Sequence, residues 1–350
     1  MFQDISVEQF LQKQKNDELV LVDVRSPSEF KEATIPGSVN IPFFTDEERA
    51  EIGTIYKQVS IDAAKERGLE IISVKLPDFI RSFQQIDGEK GIFCWRGGMR
   101  SKTSATLLAL MGIHSYRLVG GIHAYRKWIV ETLDDLGQEF LPEAYVLNGY
   151  TGTGKTMILN HLANEGYPVL DLEKMANHRG SVFGQIGLKP HNQKMFDIMF
   201  VQDALKYKQS PLVLFEAESK RIGRTVLPDF LLKKKDEGIQ IFIKMPIEER
   251  VNHIIEDYRP WEHHKECMEA FDRIKKRIHT PIAAAIEASL ENEDFQTAVR
   301  LLLEFYYDPR YKYTAVQHPE DRNIIIEAKN VDDAVQVIKG IIKEKLPSLK

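Results

Sequence analysis

The feature that most constrains the fold is a glycine-rich segment near the middle of the chain, GYTGTGKT at residues 149–156. It matches the pattern G-x-x-x-x-G-K-[ST], in which backbone amides surround phosphate oxygens and the lysine reaches the outer ones. An apolar run, AYVLN, precedes the segment and a helical pattern follows it, so the segment joins a strand to a helix. We therefore expect a parallel α/β domain with a diphosphate site. Its predicted contacts are Gly149, Gly152, Gly154, Lys155 and Thr156.

The motif alone does not identify the diphosphate. Nucleotide-hydrolysing proteins of this type usually end a later strand in an aspartate that assists Mg²⁺, whereas residues 212–215 are followed here by Glu216-Ala217-Glu218. We expect Glu216 to support Mg²⁺ at the loop, with Thr156 as a further oxygen ligand. The missing aspartate disfavours nucleotide hydrolysis and leaves the diphosphate open. No tightly bound cofactor is predicted.

A second loop, CWRGGMRS at residues 94–101, also follows a predicted strand and begins a helix. Backbone amides at a helix N-terminus converge on one point, and the helix dipole adds partial positive charge there. These features would stabilise a thiolate on Cys94, which we predict to be the catalytic nucleophile. The alternative is a small buried hydrophobe. The predicted contacts for an anionic donor are Arg96, Gly97, Gly98 and Arg100.

The first 135 residues resemble the rhodanese family. The matching segments are VDVRSPSEF, IPGSVNIP, the cysteine loop and LVGGIHAY. The resemblance implies that Cys94 carries sulfur or selenium as a persulfide or perselenide, and that Asp23 and Arg25 form a scaffolding pair.

The spacing of the loop departs from the typical rhodanese pattern. Five residues separate Cys94 from Arg100, one more than in typical single-domain sulfurtransferases. This is also the spacing of tyrosine phosphatases, although Phe93 stands where those enzymes usually have a histidine. A longer loop should admit a tetrahedral, phosphate-bearing donor. The alternative function is a cysteine-dependent phosphatase fused to a P-loop kinase-like domain.

Over nearly its full length the chain is similar to the bacterial tRNA 2-selenouridine synthases. The resemblance rests on the cysteine loop, NGYTGTGKT, the acidic strand end with its ESKRIG continuation, and the late YYDPRYKY. It implies replacement of sulfur by selenium in wobble 2-thiouridine, with geranyl diphosphate and selenophosphate as co-substrates. The implied partners are thiolated tRNA and, transiently, the enzyme that supplies selenophosphate. A non-enzymatic regulator is a third hypothesis, and retention of Cys94, Arg100 and Lys155 argues against it.

The predicted class is α/β: a rhodanese-like parallel-sheet domain, a P-loop α/β domain and a helical C-terminal part. Their ranges are 1–135 for the first domain, 136–143 for a linker, 144–250 for the P-loop core and 251–350 for its mostly helical extension.

The net charge of −5 excludes a wholesale basic nucleic-acid binder and leaves only local basic clusters for RNA. The alternatives are solvated helix faces for the basic residues and packing against helices for the tyrosines. The residues predicted to contact tRNA are Lys220, Arg221, Arg224, Arg273, Lys275, Lys276, Arg277 and Tyr311.

Two cysteines cannot form a disulfide framework, so we expect a reducing, cytoplasmic setting. No apolar run approaches the ~20 residues of a membrane helix, and residues 1–10 do not form a secretory signal. His263, His264 and Cys267 have only a loosely metal-like spacing. We interpret Cys267 as a helix position and predict no metal site there.

Overall fold

A computed structural model describes residues 1–311, 320–343 and 345–346 of the protein. The chain divides into two compact units. The first comprises Met1–Asp134 and Asp197–Met199, and the second comprises Asp135–Phe196 and Phe200–Lys350. No helix in the described residues has the length and apolar character needed to cross a membrane.

The first unit is built on a five-stranded parallel sheet in the order β1-β5-β4-β2-β3. The strands are β1 (Phe2–Ile5), β2 (Leu19–Asp23), β3 (Val39–Asn40), β4 (Glu89–Phe93) and β5 (Ser115–Leu118). The helices are α1 (Val7–Lys15), α2 (Pro27–Glu32), α3 (Asp46–Gln58), α4 (Ile61–Gln84), α5 (Met99–Leu110) and α6 (Gly121–Glu139). Val22 and Ile92, from the two neighbouring strands β2 and β4, are fully buried against Phe83 of α4 and Leu108 of α5.

The second unit contains a four-stranded parallel sheet in the order β11-β10-β6-β7, and a short antiparallel hairpin, β8-β9. The strands are β6 (Glu143–Gly149), β7 (Leu212–Glu216), β8 (Arg221–Ile222), β9 (Thr225–Val226), β10 (Ile239–Lys244) and β11 (Asn323–Glu327). The helices are α7 (Lys155–Asn164), α8 (Leu172–Ala176), α9 (Gln193–Tyr207), α10 (Asp229–Glu237), α11 (Ile247–Tyr258), α12 (His264–Lys275), α13 (Thr280–Glu291), α14 (Phe295–Leu302), α15 (Asp308–Tyr311) and α16 (Val331–Ile342). A π-helix (Leu303–Tyr307) joins α14 to α15, and a 3₁₀ turn (Glu320–Arg322) precedes β11.

Parallel strands and helices in both units confirm the α/β class, but two predicted boundaries differ from the structure. Helix α6 continues to Glu139, so the first half of the predicted linker 136–143 is helical. The helix continues past Gly137 because Leu136 within it and Phe140 directly after it are buried. From Glu143 the predicted linker already belongs to β6.

The boundary at residue 250 also fails to separate core from extension. Helices α12, α13 and α14 build a core of their own around Phe271, Ile286 and Leu302. The chain then returns to the first core: β11 pairs with β10, and Ile338 of α16 packs in the core beneath the P-loop sheet. The P-loop sheet is therefore completed by residues from the predicted extension.

Candidate functional sites

The cysteine loop begins where β4 ends. Cys94 is 3% exposed, and its Sγ lies 3.1 Å from the hydroxyl of Ser101 on α5. The carbonyls of Cys94 and Trp95 accept hydrogen bonds from the amides of Ile122 and His123, at 2.9 and 3.0 Å. The loop is thereby fixed on both sides of the thiol, by its own helix and by the start of α6.

Two glycines allow this close approach. Gly97 and Gly121 both have positive φ angles, +61° and +58°. A Cβ atom on Gly121 would lie 2.2 Å from the carbonyl oxygen of Cys94. Arg117 of β5 donates to the Gly97 carbonyl and pairs with Asp4. The quoted segment LVGGIHAY, residues 118–125, covered Gly121 but not Arg117, and sequence reasoning gave neither residue a role.

The two loop arginines have different surroundings. Arg100 forms a two-pronged ion pair with Glu29 of α2, at 2.6 and 3.3 Å. Burial raises the pKa of Glu29, but the hydrogen bond and charge of Arg100 outweigh it, so the pKa is held below its usual value. Arg96 is exposed and has no ion pair within the described residues. The two predicted anion contacts are therefore not equivalent: Arg100 is already paired and Arg96 is available.

The scaffolding pair implied by the resemblance is present. Asp23 and Arg25 are buried and share several hydrogen bonds of 2.6 to 3.0 Å. Arg25 also donates to the Ala33 carbonyl, and Thr34 donates to Asp23. The pair fixes the chain that leaves β2 toward α2, the helix that carries Glu29.

The predicted phosphate loop lies between β6 and α7. Gly149, Gly152 and Gly154 all have positive φ angles, and a Cβ on Gly152 would lie 2.7 Å from the Arg250 carbonyl. Lys155 starts α7, and its Nζ lies 3.5 Å from the carbonyls of Gly149 and Tyr150. The lysine thus folds back over the loop whose amides would face a phosphate.

Helix α11 supports this loop in a way that the sequence did not indicate. Arg250 is 4% exposed and donates from Nε to the Thr151 carbonyl at 2.9 Å. Its two terminal nitrogens bind the carboxylate of Asp308 at 2.9 and 2.6 Å. The Nδ1 of His253 lies 3.0 Å from the Gly152 carbonyl. Both residues follow β10 on an amphipathic helix, and no local motif distinguishes them.

Four carboxyl groups line the space beside Lys155: Asp171, Glu173, Glu216 and Glu218. Thr156 donates to Glu173 at 2.8 Å, and the Glu173 amide donates to Glu216 at 2.8 Å. The other Glu216 oxygen is buried without a hydrogen-bond partner in the described residues. Glu216 therefore lies behind Glu173, and Glu173 is the acid in contact with the loop. Its signal in the sequence was weak: it follows an apolar run, YPVLDL, at residues 167–172.

Burial shifts these acids toward their neutral forms. It raises the pKa of Glu173 to about 7, with a further contribution from the charge of Glu218. Burial and the neighbouring Asp171 and Glu173 raise the pKa of Glu216 well above its usual value. A cation or a proton is needed to keep these carboxyl groups close together.

The P-loop opens into a cavity of about 890 Å³, within the usual range for small-molecule sites. One wall consists of the loop, Lys155 and the acids. The remaining walls combine polar and charged residues, such as Asn160, His178 and Arg179, with an apolar and aromatic set: Met157, Val182, Leu188, Ile254, Tyr258, Tyr306 and Tyr307. The arrangement suits a ligand with a phosphate end and a larger apolar part.

The predicted tRNA contacts lie on separate elements. Arg221 and Arg224 are exposed on the β8-β9 hairpin, and Lys220 beside them pairs with Asp229 at 3.1 Å. The second group lies at the end of α12, where Lys275 pairs with Glu287. The other members of this group, all exposed, are Arg273, Lys276 and Arg277. The side chain of Tyr311 lies outside the described residues.

Cys267 is a buried position of α12, as expected. Burial raises the pKa of its thiol to about 11, so it stays protonated at neutral pH. His263 contacts Glu266, and His264 contacts the Leu290 carbonyl. Within the described residues no group of three or more potential ligands could hold a metal ion.

Comparison with known proteins identifies the family. A rhodanese-like domain model matches residues 6–127, and a model of the tRNA 2-selenouridine synthase AAA domain matches residues 142–341, more than half of the chain. The chain belongs to the tRNA 2-selenouridine synthase family. This confirms the resemblance drawn from the motifs.

Individual relatives of this chain are also named tRNA 2-selenouridine synthase. The tRNA 2-selenouridine synthase of Bdellovibrio bacteriovorus is 31% identical over 83% of this chain and 87% of its own length. That of Hydrogenovibrio crunogenus is 34% identical over 84% and 88%. The match to the Nitrosomonas europaea synthase, 35% identical, spans 68% of this chain and 63% of that protein. Among solved structures, the N-terminal domain of a putative ATP/GTP binding protein from Clostridium difficile 630 is 36% identical over 36% of this chain and 98% of its own, with a TM-score of 0.33.

Proposed function

We propose that this tRNA 2-selenouridine synthase family member converts wobble 2-thiouridine of tRNA to 2-selenouridine in two steps. The first is geranylation of the sulfur in the P-loop cavity, and the second is selenation at the Cys94 loop. The observation that carries the proposal is the presence of two glycine-rich strand-to-helix loops in one chain, a geometry suited to binding anions. A thiol lies at the base of one, and a cavity larger than a diphosphate lies beside the other.

The P-loop cavity suits geranyl diphosphate. In this step the 2-thiouridine sulfur attacks C1 of the geranyl group, the C–O bond breaks, and pyrophosphate leaves while the uracil N3 releases its proton. Lys155 and the amides of Gly152 and Gly154 would bind the charge that develops on the leaving group. The apolar walls beside Met157 and Ile254 would hold the hydrocarbon chain away from water. Nucleotide hydrolysis needs none of these apolar contacts.

The loop also suits Mg²⁺. Thr156 and Glu173 place two oxygens 2.8 Å apart beside Lys155, and Mg²⁺ prefers oxygen ligands completed by phosphates and water. When bound, the ion would neutralise charge on the diphosphate. Glu216, which the sequence suggested as the Mg²⁺ residue, accepts a hydrogen bond from the Glu173 amide and so supports the ligand from behind.

The second step is assigned to the Cys94 loop. Selenium in selenophosphate is already at the level of selenide, so its exchange for the geranylated sulfur needs no oxidant. A perselenide on Cys94 would require two electrons to be removed, and no oxidant is supplied. The redox-neutral course is attack of selenium on C2 with loss of geranylthiol, followed by cleavage of the Se–P bond. The Cys94 thiolate attacks phosphorus and breaks this bond, which leaves the phosphoryl group on its sulfur. Water then hydrolyses the S–P bond, releases phosphate and restores the thiol.

This course also accounts for the five-residue spacing that the loop shares with phosphatases. We propose that Arg96 and the amides of Gly97 and Gly98 bind the phosphate. Arg100 would contribute only as far as its ion pair with Glu29 permits.

The tRNA is proposed to contact the exposed basic residues on the hairpin and at the end of α12. Lys220 and Lys275 must first exchange their acidic partners Asp229 and Glu287 for RNA phosphates. A cytoplasmic location and a transient encounter with the enzyme that supplies selenophosphate complete the proposal.

Mass spectrometry of wobble nucleosides tests this function directly. The protein is incubated with thiolated tRNA, geranyl diphosphate and Mg²⁺, with and without selenophosphate. We expect S-geranyl-2-thiouridine when selenophosphate is omitted and 2-selenouridine when it is present. An unchanged 2-thiouridine peak under both conditions would refute the proposal.

A further inference from the structure

The aromatic and cationic segment YYDPRYKY, at residues 306–313, lies partly against the P-loop cavity. Tyr306, Tyr307 and Arg310 all line it. Tyr306 is only 4% exposed and packs in the helical core, so its ring is not available to stack on an RNA base. Its face is instead covered by the guanidinium of Arg310, 3.6 Å from the ring centroid. In its described part, the segment is a wall of the cavity.

This wall is tied to the P-loop through one buried side chain. Arg250 bonds the Thr151 carbonyl with one nitrogen and Asp308 with the other two. Asp308 starts α15, and Arg310 lies two residues further along this short helix. The guanidinium of Arg250 therefore bridges the start of α15 and the loop that would bind the diphosphate.

Besides Arg310, the cations that line the cavity are Lys155, Lys174 and Arg179, and the charge of Lys174 acts on the neighbouring carboxyl of Asp171. Arg179 uses its donors on Asp257 and on the Ile186 carbonyl. Lys155 lies at the loop itself. Arg310 donates to the Tyr306 carbonyl from one nitrogen and has no carboxylate partner within the described residues. The Tyr306 ring and carbonyl hold the guanidinium in place without neutralising it.

We propose that Arg310 is a second cationic contact for the diphosphate of the P-loop cavity, in addition to Lys155, since both side chains line it. The inference rests on the proposed function, in which this cavity binds a diphosphate. Its physical reason is charge: six carboxyl groups line the cavity, and Lys155, Lys174 and Arg179 do not balance them together with a diphosphate. A planar guanidinium binds two phosphate oxygens at once, which an ammonium group does not.

Binding of inorganic pyrophosphate, measured by calorimetry with Mg²⁺ present, tests the inference. Arg310→Gln should weaken binding by roughly tenfold to a hundredfold, the usual range for losing a charged hydrogen-bond donor to phosphate. Arg310→Lys should recover part of this loss, since it keeps the charge but not the paired donors. Arg300→Gln is the matched control, because Arg300 is a partly exposed arginine on α14 that pairs with Glu248 outside the cavity.

The outcomes separate the two hypotheses. If wild type binds pyrophosphate, Lys155→Ala weakens binding, and Arg310→Gln binds as tightly as wild type, then the role of Arg310 is wrong and the diphosphate site stands. If wild type binds no pyrophosphate, the diphosphate site itself is wrong. Arg310 is exposed, so its replacement should leave the melting temperature unchanged. The same variant should raise the KM for geranyl diphosphate and leave the KM for selenophosphate unchanged.

Discussion

At the scale of single residues, the sequence identified the groups that form continuous motifs. Cys94, Lys155 and Thr156 were accessible because each belongs to a short segment whose spacing reflects one loop. Glu173 and Arg250 were not, because they approach the P-loop from α8 and α11, far apart in the chain. Arg310 belongs to the quoted segment YYDPRYKY, but the sequence did not indicate that this segment lines the cavity. Convergence of distant elements leaves no spacing to recognise in a single sequence.

The buried carboxyl group of Glu173 predicts how the stability of the fold depends on pH. Its pKa rises from 4.5 in the unfolded chain to about 7 in the fold, chiefly through burial. Between these values the folded state retains a proton that the unfolded state has released, so this group's contribution to stability is present below pH 4.5 and is lost as pH rises toward 7. Glu173→Gln removes the titrating group and keeps an acceptor for Thr156. We expect the variant to melt at a higher temperature than wild type at pH 8, with the difference shrinking toward pH 4.5.

The matched control is Glu237→Gln, at an exposed position at the end of α10. Its melting temperature should follow wild type at every pH. If the difference in melting temperature between Glu173→Gln and wild type were constant across pH, or larger at low pH, it would contradict the raised pKa of Glu173.

At the scale of elements, strands and their loops were predictable and the ends of elements were not. The runs LVLVD and YVLNG are apolar on both faces because helices cover both sides of a parallel sheet, and they became β2 and part of β6. The sequence suggested a linker at residues 136–143, a segment that contains glycine and proline, yet α6 continues to Glu139 because Leu136 and Phe140 are buried. Burial overrides the local preference of Gly137, and burial is known only once the fold is known.

The element that supports the cysteine loop gives a second prediction. Gly121→Ala would place a methyl group 2.2 Å from the Cys94 carbonyl at a residue with φ +58°. We expect a loss of about 3 kcal/mol in the unfolding free energy of the first unit, and loss of selenation with geranylation retained. Denaturant unfolding and nucleoside analysis measure the two effects.

Gly53→Ala is the comparison variant for this experiment. Gly53 lies inside α3, and a Cβ there would meet only the flexible end of Arg49 at 3.5 Å. Because alanine favours helix over glycine, this variant should be as stable as wild type or slightly more stable. Equal stability of the Gly121 and Gly53 variants would show that the close approach has been misassigned.

At the scale of the whole molecule, each of the two units carries one glycine-rich strand-to-helix loop, with a thiol at the first and a lysine at the second. Family membership was readable from the motifs because each loop lies in a recognisable strand–loop–helix context. The composition of the cavity was not readable, because its walls come from α7, α11, the π-helix and the segment after α8. Completion of the P-loop sheet by β11, from the far end of the chain, could not be predicted from local patterns either.

The most direct test of the account is the division of labour between Cys94 and Lys155. Wobble nucleosides are analysed by mass spectrometry after reaction of thiolated tRNA with Cys94→Ala, Lys155→Ala and the control Cys267→Ala, which removes the other buried thiol. We predict that the Cys94 variant accumulates S-geranyl-2-thiouridine without 2-selenouridine. The Lys155 variant should leave 2-thiouridine unmodified yet convert tRNA that is already geranylated, and the control should make 2-selenouridine. Formation of 2-selenouridine by the Cys94 variant, or normal geranylation by the Lys155 variant, would contradict the account.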